Sequence, residues 1–188
     1  MTALARAARA GIVGADVIRF ATPMASGLAT IAGHPAAEQA SDPLQAFWGA
    51  PALLEDHAQR SCFAALRIRE GMKVLNAGWE AAGAKPLNVR IGIHSDAVLV
   101  GNIGSNERMS YTVMGDGVNI AARLEGINKE YGTGICISHA VFKEAGERLC
   151  VRPIDDVTVK GRRAKIPIYE LVGAYGTGTE FPPDQPAL

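Results

Sequence analysis

The chain has 188 residues, 48% of them apolar and 20% charged, with 19 basic residues against 19 acidic ones. That length suits one domain with a sizeable core and is short for two, and the balanced charge gives no net field toward nucleic acid or an anionic membrane, so any anion must be held by a local site. Three scattered cysteines, Cys62, Cys136 and Cys150, lack CxxC or histidine spacing, which argues against a disulfide framework or a zinc site and fits reduced thiols in a cytoplasmic protein.

The opening stretch, residues 1–33, is rich in Ala and small apolar residues. Asp16 and Arg19 interrupt it, so it does not read as a membrane span, which needs about 20 apolar residues in a row. A poorly ordered N-terminal segment is expected there. Ala58, Cys62, Ala65, Ile68, Met72, Leu75 and Trp79 recur at threes and fours, the stripe of a long core-facing helix that Gly83 and Pro86 end. "NVRIGIH" and "AVLVGNI", separated by Ser95 and Asp96, read as a β-hairpin, and "SYTVM" as a further strand. After Gly115-Asp116-Gly117 comes a helix with Ile120, Leu124, Ile127 and Tyr131 on one stripe and Gly132 at its C-terminal cap. "GICIS" is then a buried strand and "HAVFKEAGERL" a helix. "VRPIDDVTVKGRRAKIPIYELVG" reads as a hairpin turning at residues 160–165, and residues 174–188, with several prolines and glycines, as a disordered tail. The sum predicts an α+β sandwich, helices packed on a mainly antiparallel sheet.

Two local features bear on chemistry. Asn119 and Arg123 lie four apart and so share one face of the predicted helix, and Lys160, Arg162 and Arg163 crowd a hairpin turn. Neither a P-loop nor a dinucleotide-binding glycine pattern occurs, so bound phosphate would be held by side chains such as these. Each also has a plain alternative, a solvated helical Arg and a basic turn at a sheet edge.

"FWGAP", "DHAQRSCFAAL", "VRIGIH", "VGNIGSNERMSYTVMGDGVNIAARLEGINKEYGT", "ICIS" and "VKGRRAKIPIYELVG" run in the order and spacing of one family. Together they resemble the catalytic domain of class III adenylate/guanylate cyclases, in the bacterial form, from about Asp42 to Gly173, with residues 34–173 as the domain. The resemblance implies a ferredoxin-like βαββαβ core, a head-to-tail homodimer or heterodimer with another cyclase domain, and conversion of ATP to 3′,5′-cyclic AMP and pyrophosphate with two Mg2+ or Mn2+ ions. By similarity Asn119 would orient the ribose and Arg123 would stabilise charge on the α-phosphoryl group. Lys160 would hold the triphosphate, and Thr112 stands where the family has one of two base-reading residues.

The chain departs from that pattern at its N-terminal side. Of the two metal aspartates, Asp42 matches the second, but Ser41 and Pro43 flank it, and Pro restrains the residue before it. Glu38 stands where an adenine-reading Lys is expected, and a carboxylate cannot donate to the base. Asp16 and Phe20 have the spacing of the first metal strand, yet the stretch between Asp16 and Asp42 is too short for the helices and strand the family places there. The domain is therefore expected to lack its first strand and first helices, or to have them replaced. Besides a cyclase, a dimerisation or regulatory partner and a truncated remnant remain as alternatives.

Overall fold

The structure, a computed structural model, describes residues 11–20, 44–50, 53–104, 109–158 and 165–175, with the backbone course alone given for 11–20, 44, 103, 104, 109 and 110. The elements run β1 (Gly11–Phe20), β2 (Leu44–Trp48), α1 (His57–Ala81), β3 (Ile91–Gly104), β4 (Met109–Met114), α2 (Asp116–Tyr131), β5 (Ile135–Ser138), α3 (His139–Ala145), a 3-10 turn (Gly146–Arg148), β6 (Leu149–Thr158) and β7 (Lys165–Ala174). The strands make one sheet in the order β2-β1-β3-β5-β7-β6, with β4 paired to β3. Within it only β3 and β5 run parallel. This is the predicted α+β class.

β3 sorts its side chains by parity, as a pleated strand must. Ile91 and Ile93 face α1 and α3, joining Ala58, Cys62, Ala65 and Leu66 of α1 and Val141 of α3 in one buried cluster. Val98 and Val100 face the other way, with Ala121 of α2 and Val113 of β4. Helices therefore cover both faces, and among the described residues α2 alone covers its side. Ile120, Leu124 and Ile127 complete that layer over Cys136 and Ile168, each contributing about 1.5–3 kcal/mol by burial.

Two expectations change. Ser95 and Asp96 do not form a turn: β3 is a single strand through Gly104, and its true hairpin partner is β4, with Leu99 opposite Met114 and Val100 opposite Val113. A two-residue hairpin turn needs positive φ, and among the described residues none other than glycine adopts it. β1 instead holds both residues extended, opposite Asp16 and Ala15. Second, an opening strand is present: Gly11–Phe20 runs antiparallel to both β2 and β3 and occupies the place between them. Residues 21–43, where the first helices are expected to be missing or replaced, lie outside the described residues, as does the tail from residue 176.

The stripe of α1 holds for its first four turns and then leaves the sheet. Ala58, Cys62, Ala65 and Met72 are buried, whereas Leu75 is 48% exposed. At the end of the strand order β6 carries Pro153 beside a register shift, the kind of edge position in which a strand tolerates proline. Among the described residues no helix is long and apolar enough to cross a membrane.

Candidate functional site

One continuous strand–turn–helix unit carries three of the predicted site residues. Thr112 lies in β4 opposite Gly101, half-buried. Its neighbour Val113 points into the core, so Thr112 faces the opposite side of the strand. Tyr111 is exposed, its ring centroid 5.9 Å from that of Phe47 on β2. The chain then turns at Gly115, whose φ of 150° suits glycine, and α2 begins.

Close approach to β3 explains Gly117. A Cβ there would come within 2.9 Å of the Asp96 Cβ and 3.3 Å of a Val98 methyl. The Gly-Asp-Gly turn thus seats the first turn of α2 against the middle of β3. Gly92 does the same one helical turn on, where a Cβ would meet the Ala121 carbonyl oxygen at 2.2 Å and the Glu125 nitrogen at 2.3 Å. α2 therefore lies with its backbone directly on β3.

With Gly117, Ile120, Ala121, Leu124, Ile127 and Asn128 buried beneath it, α2 presents Asn119 and Arg123 on its exposed face. The spacing of four reads as predicted: one donor-and-acceptor amide and one fixed guanidinium fork side by side, a pair suited to a sugar hydroxyl and a phosphoryl oxygen. Arg90, by contrast, is engaged, its Nε donating to Glu125 at 2.9 Å.

The other predicted residues are described only in part or not at all. Asp42 and Lys160, like Glu38, lie outside the described residues. Asp16 lies in β1 opposite Trp48 on one side and Ser95 on the other, while Phe20 is opposite Leu44. Among the described residues no group of three or more His, Cys, Asp or Glu side chains is placed to hold a metal ion.

Several polar groups lie near the site, of which Asn128 escaped the sequence reading. His94, 3% exposed, has its Nδ1 2.8 Å from the Ser138 hydroxyl and its Nε2 3.7 Å from Asp96, behind Gly117. Ser95 donates from its hydroxyl to Glu144 at 2.5 Å. Asn128, 1% exposed, donates to the Ile91 carbonyl at 3.0 Å and accepts from the Thr133 hydroxyl at 2.7 Å. Asn128 had a legible signal, an amide four residues after Leu124 on an otherwise apolar stripe. Cys136 packs beneath α2, and burial pushes its thiol up to about 12, so it is a packing group and not a nucleophile. At the far end of α2 the Tyr131 hydroxyl donates to Asp155, holding that carboxyl below the usual range.

The family and the fold are those of known proteins. The family model for the adenylate and guanylate cyclase catalytic domain matches residues 42–173. Over 132 residues the chain is 40% identical to Adenylate cyclase 1 of Rhizobium meliloti (strain 1021), a match covering 70% of this chain and 20% of that protein. The chain thus spans about a fifth of that relative's length. Among solved structures, the guanylyl cyclase Cya2 superposes with a TM-score of 0.73 at 24% identity, covering 88% of this chain and 94% of that one, a likeness of fold. The adenylyl cyclase CyaB from P. aeruginosa gives 0.71 at 25% identity, covering 88% and 96%. A strand, a glycine turn and a helix bearing Asn119 and Arg123, set in a sheet of this topology and inside the matched span, make the chain a member of the class III adenylate and guanylate cyclase catalytic domain family.

Proposed function

We propose that this chain is a nucleotidyl cyclase subunit that acts on ATP, forming 3′,5′-cyclic AMP and pyrophosphate, in a site shared with a second cyclase domain. The observation that carries this reading is the exposed Asn119–Arg123 face of α2, held rigidly on β3. In the reaction the ribose 3′-oxygen loses its proton and bonds to the α-phosphorus, while the bond from that phosphorus to the bridging oxygen breaks and pyrophosphate leaves with the electron pair. There is little covalent work for a protein in such a transfer, so positioned charge supplies most of the rate. Arg123 donates to the α-phosphoryl oxygens as negative charge gathers there, and Asn119 holds the ribose. Lys160 steadies the triphosphate and Thr112 meets the base. ATP is preferred to GTP on the strength of the 40% identity to a protein named an adenylate cyclase; Glu38 bears on that choice by removing a donor.

Two divalent ions, held by carboxylates, would supply activation of the attacking oxygen and charge neutralisation at the phosphates. The described residues do not assemble a site for them. Asp42, the match to one metal aspartate, is flanked by Ser41 and Pro43, and Pro restrains the residue before it. That altered sequence setting supports a division of labour in which this chain supplies Asn119, Arg123 and Lys160 and its partner supplies the metal carboxylates.

The test mixes the chain with a complete bacterial class III cyclase domain from which the Arg equivalent to Arg123 has been removed, with ATP or GTP and manganese. Cyclic AMP formed only in the mixture supports the shared site. Turnover by the chain alone shows that it holds metal itself, and a folded chain that gives none in either case is a regulatory partner.

A further inference from the structure

The start of β3 is fastened to one turn of α2 by two contacts and to the segment just after that helix by a third. Arg90 donates to Glu125 at 2.9 Å. The Ile91 carbonyl accepts from the Asn128 amide at 3.0 Å, and the Ile91 N–H donates to the Gly134 carbonyl at 2.9 Å. Gly92 lets the backbone at Ala121 and Glu125 settle onto the strand. Asn128 is nine residues beyond Asn119, so the two point about half a turn apart on the helix. The fastening thus sets the height and rotation of the face that carries Asn119 and Arg123 without touching it.

Thr133 decides which way the amide points. Its hydroxyl donates to Asn128 Oδ1 at 2.7 Å, and its backbone N–H donates to the Asn128 carbonyl at 3.0 Å. With Oδ1 so engaged, the NH2 group is left to reach the Ile91 carbonyl, and also that of Leu124 at 3.1 Å. A flipped amide would set oxygen against the Ile91 oxygen and leave the NH2 facing the hydroxyl. Both residues are buried, Asn128 at 1% and Thr133 at 7%, where a wrong pairing is costly.

We infer that Asn128 and Thr133 are positioning residues for the cyclase reaction, holding α2 at the elevation at which Asn119 and Arg123 meet the transition state. This rests on the shared-site reading above. A displacement of about 1 Å at a reacting centre can cost on the order of a hundredfold in rate, and groups that act only in the transition state lower kcat and leave KM nearly unchanged.

The test uses the full chain in the mixture with the Arg-less partner domain, with ATP and manganese, and measures kcat, KM and thermal melting. Thr133→Val keeps the shape and removes the donor; Thr133→Ser restores it. The expected result is a kcat at least tenfold lower for Thr133→Val per folded molecule, KM within about twofold, and Thr133→Ser within about twofold of the parent. An unchanged kcat, a loss that only follows the unfolded fraction, or a raised KM at unchanged kcat overturns the inference. If Thr133→Val does not fold, Arg90→Met, which releases Glu125 at the part-buried end of the same fastening, decides by the same readings: kcat reduced about threefold or more, with recovery in Arg90→Lys, supports it, and no change overturns it. A parent chain without turnover in the mixture removes the shared-site reading and this inference together, whereas an active parent with an equally active Thr133→Val removes this inference alone.

Discussion

Gly92→Ala tests the close approach of α2 to β3. The added Cβ would lie 2.2 Å from the Ala121 oxygen and 2.3 Å from the Glu125 nitrogen, both backbone atoms. No side chain can swing aside, so α2 must rise by about 1 Å or more to restore ordinary contact. Overpacking of this kind costs about 1–3 kcal/mol. The same rise stretches the hydrogen bond from Asn128 to Ile91, adding about 1 kcal/mol. A loss of roughly 2–4 kcal/mol is large beside the 5–15 kcal/mol that holds a typical domain together, and for a domain of this size it lowers Tm by roughly 5–15 °C. Thermal unfolding followed by circular dichroism is the assay, with Gly126→Ala as the control, since a Cβ there meets nothing within 4 Å and Ala favours the helix by about 1 kcal/mol. A Gly92→Ala protein melting within about 2 °C of the parent would refute the claim that α2 rests on the backbone of β3.

Other consequences are as direct. Asn119→Ala and Arg123→Ala, exposed on α2, should leave stability within about 0.5 kcal/mol while lowering turnover in the mixed-subunit assay on the order of a hundredfold or more; an Arg123→Ala protein of full activity would remove that residue from the chemistry. Leu124→Ala, 1% exposed, should cost about 2–5 kcal/mol in urea unfolding, and Leu75→Ala, 48% exposed, about 0.5 kcal/mol or less, so equal losses would contradict the departure of α1 from the sheet. Of the three thiols, half-buried Cys150 should react with a disulfide reagent at neutral pH while Cys62 and Cys136 wait for unfolding. Because folding raises the Cys136 thiol to about 12, its ionisation opposes the folded state: stability is untouched below the ordinary thiol range of about 8.5 and falls as pH climbs above it, a loss that Cys136→Ala should reduce in alkaline melts.

The amino-acid sequence by itself determined what depends on neighbours along the chain. Gly115-Asp116-Gly117, the apolar residues Ile120, Leu124 and Ile127, and the Gly132 cap prescribe a turn and an amphipathic helix locally, and the spacing of four put Asn119 and Arg123 on one face before any tertiary contact was known. The strands around residues 135–138 and 149–174 were legible for the same reason. Only the tertiary structure decided what depends on partners far away in sequence. Ser95 and Asp96 look like a turn until β1, some eighty residues upstream, pairs alongside and keeps them extended. β1 itself, poor in the alternation that marks a strand, takes its place because β2 and β3 leave an edge on either side for it to bond. Gly92 reads as an unremarked residue in "VRIGIH", and Asn128 as a polar interruption, until α2 settles on β3 and makes one the bearing surface and the other the fastening. Local periodicity carries side-chain direction, but the height of a helix above a sheet is set by backbone contact between segments that the sequence does not place together.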